Sequence, residues 1–147
     1  MAEFLFKDYV NKKGKKNEFV IDSMATSSEE IGNGIHYGTR RILDRYNIKY
    51  EDHRARRVRL SDYDFYDFII AMDKKNIYNL KGIFNKIDKV HLFLDYCGLN
   101  RDISDPWYTG NFVETYSDIM MGIEGFYKYL LDNGYLSWGW FYVIKNI

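Results

Sequence analysis

Asp105-Pro106-Trp107-Tyr108 sets a carboxylic acid beside two aromatic side chains, around the only proline in 147 residues. Such a loop could present a carboxylic acid, a potential general acid, to a group bound between two aromatic walls. Asp-Pro also opens ordinary turns, so the tetrapeptide alone supports either reading. Ser23 follows a short apolar run, Phe19-Val20-Ile21, and reads equally as a turn hydroxyl or a site hydroxyl. Asp73 and Asn76 follow a second apolar run at 68–72, where a helix cap competes with a polar site. His53 stands in the basic stretch His53-Arg54-Ala55-Arg56, an everyday surface setting for a lone histidine.

The sole thiol is Cys97, and its next arginine is Arg101. A nucleophilic cysteine needs a thiolate of lowered pKa, as at a helix start or beside a cation. Cys97 has no helix signal after it and reads as a small buried or half-buried side chain. His36, His53 and His91 lack metal-ligand spacing, so neither metal nor other cofactor is expected.

These groups need elements to position them. Ala2, Leu5, Phe6, Tyr9 and Val10 recur at helical spacing up to Gly14. Residues 23–38 read as a loop, after which Thr39 is placed to cap a helix carrying Ile42, Leu43 and Tyr46. Ser61-Asp62-Tyr63-Asp64 opens another helix, and Ile77, Leu80 and Phe84 mark a further one between apolar runs at 68–72 and 90–94. A long amphipathic helix aligns Tyr116, Ile119, Met120, Ile123, Tyr127 and Leu130. The three apolar runs suit strands covered on both faces. Alternating helices and strands predict an α/β three-layer sandwich, with a small parallel sheet flanked by helices and a site at the strand C-terminal ends. The loops at 23–33, 73–76 and 98–108 then converge on one rim.

Equal numbers of Lys plus Arg and Asp plus Glu, 21 each, give no global charge to attract nucleic acid or an anionic membrane. The longest apolar stretch, 136–147, is shorter than the ~20 residues that span a bilayer. One cysteine allows no internal disulfide, and with no signal-peptide pattern a cytoplasmic location is expected.

In order and spacing, residues 22–27, 71–76 and 105–108 resemble the low-molecular-weight protein tyrosine phosphatases, and the likeness covers nearly all of residues 2–135. It implies Asp105 as general acid and Trp107 and Tyr108 as the pair flanking the substrate ring. Ser23 and His53 match the hydrogen-bonding support of the phosphate loop, and Asp73 and Asn76 match polar positions behind it. Glu29 falls where relatives often carry an aromatic residue. The implied substrate is a phosphotyrosine-containing protein or a small aryl phosphate. The family's nucleophile loop, Cys-x5-Arg between the first strand and first helix, has no match, since Met1-Ala2-Glu3 corresponds to the stretch after it. The chain is therefore expected to be inactive as it stands, a truncated phosphatase or a pseudophosphatase binding through its aromatic rim. A receiver-like or flavodoxin-like domain is the reading outside the family.

Residues 1–135 are expected to form the phosphatase-like domain and 136–147 an aromatic tail. The family's absent first strand lies centrally, between the segments equivalent to 19–21 and 68–72. The β-prone run Gly139-Trp140-Phe141-Tyr142-Val143-Ile144 either fills that slot or remains a surface tail.

Overall fold

The computed structural model describes residues 1–27 and 32–136. It begins with α1 (Ala2–Lys12), which ends where Gly14, at φ 71°, lets the Lys15 N–H close onto the Val10 carbonyl. Further along come α2 (Tyr37–Arg45), the short α3 (Asp62–Phe65), β1 (Ile69–Ala71), α4 (Lys74–Phe84) and β2 (Val90–Leu92). A 3-10 turn at Phe93–Cys97, the short α5 (Pro106–Thr109) and the long α6 (Phe112–Asp132) complete the order.

β1 and β2 pair in parallel, with Ile69 opposite Val90, Ile70 opposite His91 and Ala71 opposite Leu92. Side chains alternate across a strand, so the pair feeds two cores. Ala71, Val90 and Leu92 join Tyr63 of α3 and Leu80 and Phe84 of α4 on one face. On the other, Phe68, Ile70 and Met72 pack against a larger core built from α1, α2, the 3-10 turn and α6. Helices on both faces of a small parallel sheet give the three expected layers.

Two local expectations fail. Phe19-Val20-Ile21 is not a strand among the described residues: Phe19 and Ile21 turn toward the larger core while Val20 is 74% exposed. A strand needs a hydrogen-bonded neighbour, and pairing in this stretch appears only farther on, as a parallel bridge between Ala25 and Arg57. Thr39 does not cap α2 either. His36 does, its Nδ1 accepting from Gly38 N at 3.0 Å, and Thr39 is buried in the first turn. No described helix is long and apolar enough to cross a membrane. Glu29 and the run at 139–144 lie outside the described residues.

Candidate active site

The acid tetrapeptide is a helix start and not an open loop. Asp105 is the N-cap of α5, its Oδ1 accepting from Trp107 N at 2.9 Å, and Pro106 takes the first helical position, where a missing N–H costs nothing. The turn sends Trp107 and Tyr108 outward, 54% and 70% exposed. His36 meets Trp107 edge-on at 4.6 Å and stacks on Phe112 at 5.0 Å, so the cap of α2 also backs the aromatic rim.

The rest of this loop is tied down. Asp118 on α6, buried at its carboxylate, takes both guanidinium nitrogens of Arg101 at 2.9 Å. Asp102 accepts from Lys74 N at 3.1 Å, and Ile103 N donates to the Met72 carbonyl at 2.8 Å. The acid loop is thereby fastened to the C-terminal end of β1, where Asp73 and Asn76 also sit.

Asp73 and Asn76 form a reciprocal capping box at the start of α4. Asn76 N donates to Asp73 Oδ1 at 2.7 Å, and Asn76 Oδ1 accepts from Met72 N and Asp73 N at 3.2 and 3.3 Å. The Asn76 amide has a second contact, donating to Thr26 Oγ1 at 3.3 Å, as does Asn79. Loops 23–27, 73–76 and 98–108 thus meet at one rim, by way of Thr26, Asp102 and Ile103.

Ser23 and His53 form a separate group with Glu3. Ser23 Oγ donates to Glu3 Oε1 at 2.7 Å and lies 3.3 Å from His53 Nε2. A hydroxyl has one proton, and with that given to Glu3, Ser23 offers His53 only lone pairs, so Nε2 is the donor. Lys7 Nζ completes the shell of the buried Glu3 carboxylate at 2.7 Å. Burial pushes the Glu3 pKa up, but hydrogen bonds from Lys7 and Ser23 with the charges of Lys7 and His53 outweigh it and hold it below the ordinary range.

Beside this group lies a cleft of about 290 Å³, lined by Glu3, Asp22, Ser23, Met24, His53, Arg54, Arg56 and Tyr66. Its far wall is braced by Tyr66, whose hydroxyl donates to Asp22 at 2.5 Å and whose pKa is pushed up to about 12 by burial and by that carboxylate. Arg56 forks onto Asp62 at 3.1 and 2.9 Å; that hydrogen bonding, with the Arg59 N–H, holds the Asp62 pKa down against burial.

Both carboxylates fix the sign of an acid response. A group whose folded pKa is depressed contributes stability in full above its unfolded value near ~4 and loses it as pH falls through the folded value. The melting temperature of Glu3→Gln is therefore expected to lie below that of the parent at neutral pH and to approach it as pH drops under about 4. A gap between the two melting curves that stays constant from pH 7 to 3 would contradict this.

Sequence reasoning missed Glu3, Asp22, Tyr66, Asp118 and His36. For Glu3 the spacing to Lys7 was a visible signal, and for Asp118 an acid beside the apolar stripe of α6 was another. The Tyr66–Asp22 bond spans 44 positions and has no local trace.

Cys97 lies apart in chemistry as well as in sequence. It is half-buried, and its Sγ donates to the Leu94 carbonyl at 3.2 Å. Among the described residues no group of three or more His, Cys, Asp or Glu is placed to hold a metal ion.

The sequence profile of the low molecular weight phosphotyrosine protein phosphatase family matches residues 1–134. A low molecular weight protein-tyrosine-phosphatase of Bacillus subtilis, YfkJ, is 39% identical over 128 residues, covering 84% of this chain and 82% of that protein. PtpA of Staphylococcus aureus, of the same description, is 30% identical over 142 residues, covering 95% and 90%. The crystal structure of YfkJ superposes with a TM-score of 0.84 at 36% identity, over 90% of this chain and 86% of that one. The Streptococcus pyogenes enzyme SP-PTP gives 0.75 at 36% identity, over 88% and 82%.

Proposed function

Because the chain belongs to the low molecular weight phosphotyrosine protein phosphatase family, we propose that it carries the leaving-group half of a site for phosphotyrosine-containing proteins and small aryl phosphates, and that these 147 residues alone do not turn such substrates over. Asp105 is the acid that protonates the departing phenolate, and Trp107 and Tyr108 flank the ring. Ser23 and His53 are the support for a phosphate-binding loop, and the cleft beside them is its place.

One observation carries the silent half of the reading: the only thiol–arginine pair in the sequence is already engaged in structural bonds. Cys97 Sγ is on the Leu94 carbonyl, and the Arg101 fork is closed on Asp118. Neither is free to attack phosphorus or to grip its oxygens, and the spacing, Arg four positions on, is too short to wrap a phosphate. A positioned acid alone supplies only about 10²- to 10⁴-fold.

Purified residues 1–147 are expected to hydrolyse p-nitrophenyl phosphate at the buffer rate, with Cys97→Ser changing nothing. Thiol-dependent turnover abolished by Cys97→Ser would overturn the proposal. The exposure of Trp107 and Tyr108 favours a second reading, a module that binds aryl phosphates or a partner through this rim without turnover. Phosphotyrosine titrated against the chain then shifts the Tyr108 ring resonances, and unchanged resonances at millimolar ligand count against it.

A further inference from the structure

His36 caps α2 and touches the aromatic rim with the same ring. Its Nδ1 accepts from Gly38 N at 3.0 Å, so that nitrogen presents a lone pair and the neutral ring carries its proton on Nε2. The bond restrains the plane of the ring. Two aromatic neighbours lie nearly parallel to it, Tyr37 at 4.6 Å and 29° and Phe112 at 5.0 Å and 17°. Phe112 in turn rests on the bare Cα of Gly38, where a Cβ would stand 2.5 Å from its ring. α6 starts at that residue, with Asn111 Oδ1 accepting from Glu114 N at 3.0 Å. The starts of α2 and α6 thus meet around one imidazole.

Trp107 is held in two different ways. The Asp105 cap fixes its backbone N–H at 2.9 Å, but a cap acts on the main chain and leaves the side chain its staggered alternatives. The indole is 54% exposed, so no surrounding core selects among them. Among the described residues His36 is the one ring it touches, edge-on at 4.6 Å and 74°. Edge-to-face contact is directional, so it selects an angle as well as a distance. The orientation of Trp107 is set from α2 and not from its own loop.

We propose that His36 is the positioning residue of the aryl wall: its ring holds the Trp107 indole in one orientation at the rim, and its Nδ1 ties that orientation to the start of α2. The benefit to substrate rests on the reading of Trp107 as a ring-flanking residue. The orientation of the free indole does not.

Two substitutions in the intact chain separate the two jobs. His36→Asn keeps a side-chain acceptor of a favoured capping type and removes the ring, whereas His36→Phe keeps a ring and removes the acceptor. His36→Asn is expected to melt with the parent while the Trp107 indole protons, followed by NMR, lose their contacts to residue 36 and move toward free-indole shifts. Phosphotyrosine titrated against it binds about 3- to 10-fold more weakly, the change that one aromatic pair supports. His36→Phe is expected to melt about 2 to 4 °C lower, with the Trp107 orientation and phosphotyrosine affinity retained. A residue that only held α2 together would not give this crossed pattern. Unchanged Trp107 resonances in His36→Asn overturn the proposal, as does an indole freed equally in both variants, which makes the α2 cap the cause. A freed indole with parental phosphotyrosine affinity overturns the link to the substrate ring. If the parent itself binds no phosphotyrosine, the ring-flanking reading of Trp107 falls, and the order of the indole alone decides what His36 does.

Discussion

A fusion that places the family's first strand and Cys-x5-Arg loop ahead of Met1 is expected to hydrolyse p-nitrophenyl phosphate, and Asp105→Asn in that fusion to lower kcat by about 10²- to 10⁴-fold with KM little changed. The proton is needed only as the phenolate leaves, so the loss belongs to the transition state and not to binding. Asparagine is the right replacement because Asp105 also caps α5 through Trp107 N. Asn caps as well as Asp does, so the variant keeps the loop and removes only the acidic proton. The discriminating measurement is leaving-group dependence. With a substrate whose phenol has a very low pKa, departure needs no proton, and parent and variant are expected to converge. An equal loss on both substrates would show that Asp105 acts by holding α5 in place.

The layers and the convergence of loops were legible because they follow from period and order. The apolar runs at 68–72 and 90–94 each supplied a strand, although β2 ends at Leu92 and exposes His91, and the helical stripes at Leu80 and Ile123 cover the apolar side chains around them. The site was legible only in part. Asp105 could be singled out from its neighbours, but that it caps α5 depends on Pro106 entering a helix rather than a turn, a choice fixed by Gly110 at φ 71° and by the Arg101–Asp118 fork behind it. Phe19-Val20-Ile21 misled because strand propensity describes a residue's fit to a paired surface, and among the described residues no strand pairs with this run. His36 reads as a loop residue until Phe112, 76 positions on, stacks against it.

Gly125→Ala is expected to lower the melting temperature by several degrees, at a cost of about 1 to 3 kcal/mol, although alanine is the better helix former by about 1 kcal/mol. A Cβ at this position in α6 would stand 2.7 Å from the Tyr96 carbonyl oxygen and 3.0 Å from Cys97 N. Those are backbone atoms of the Phe93–Cys97 turn and cannot step aside as a flexible side chain would. Gly122 shows the same closeness one turn earlier, its Cβ meeting the Phe93 ring at 2.7 Å. Gly82, in α4, has nothing within 4 Å, so Gly82→Ala is expected to stabilise by about 0.5 to 1 kcal/mol and serves as the control. The consequence reaches the site. The turn that Gly125 touches leads directly into the segment carrying Arg101, Asp102 and Asp105, and Asp118 on the same helix holds Arg101. Pushing the turn off α6 therefore shifts the acid loop relative to β1, so Gly125→Ala in the fusion is expected to lose activity at temperatures where the protein is still folded. Equal stabilisation by both alanine substitutions would mean that α6 slides to accommodate the methyl group and that the close approach at Gly125 does not position the acid.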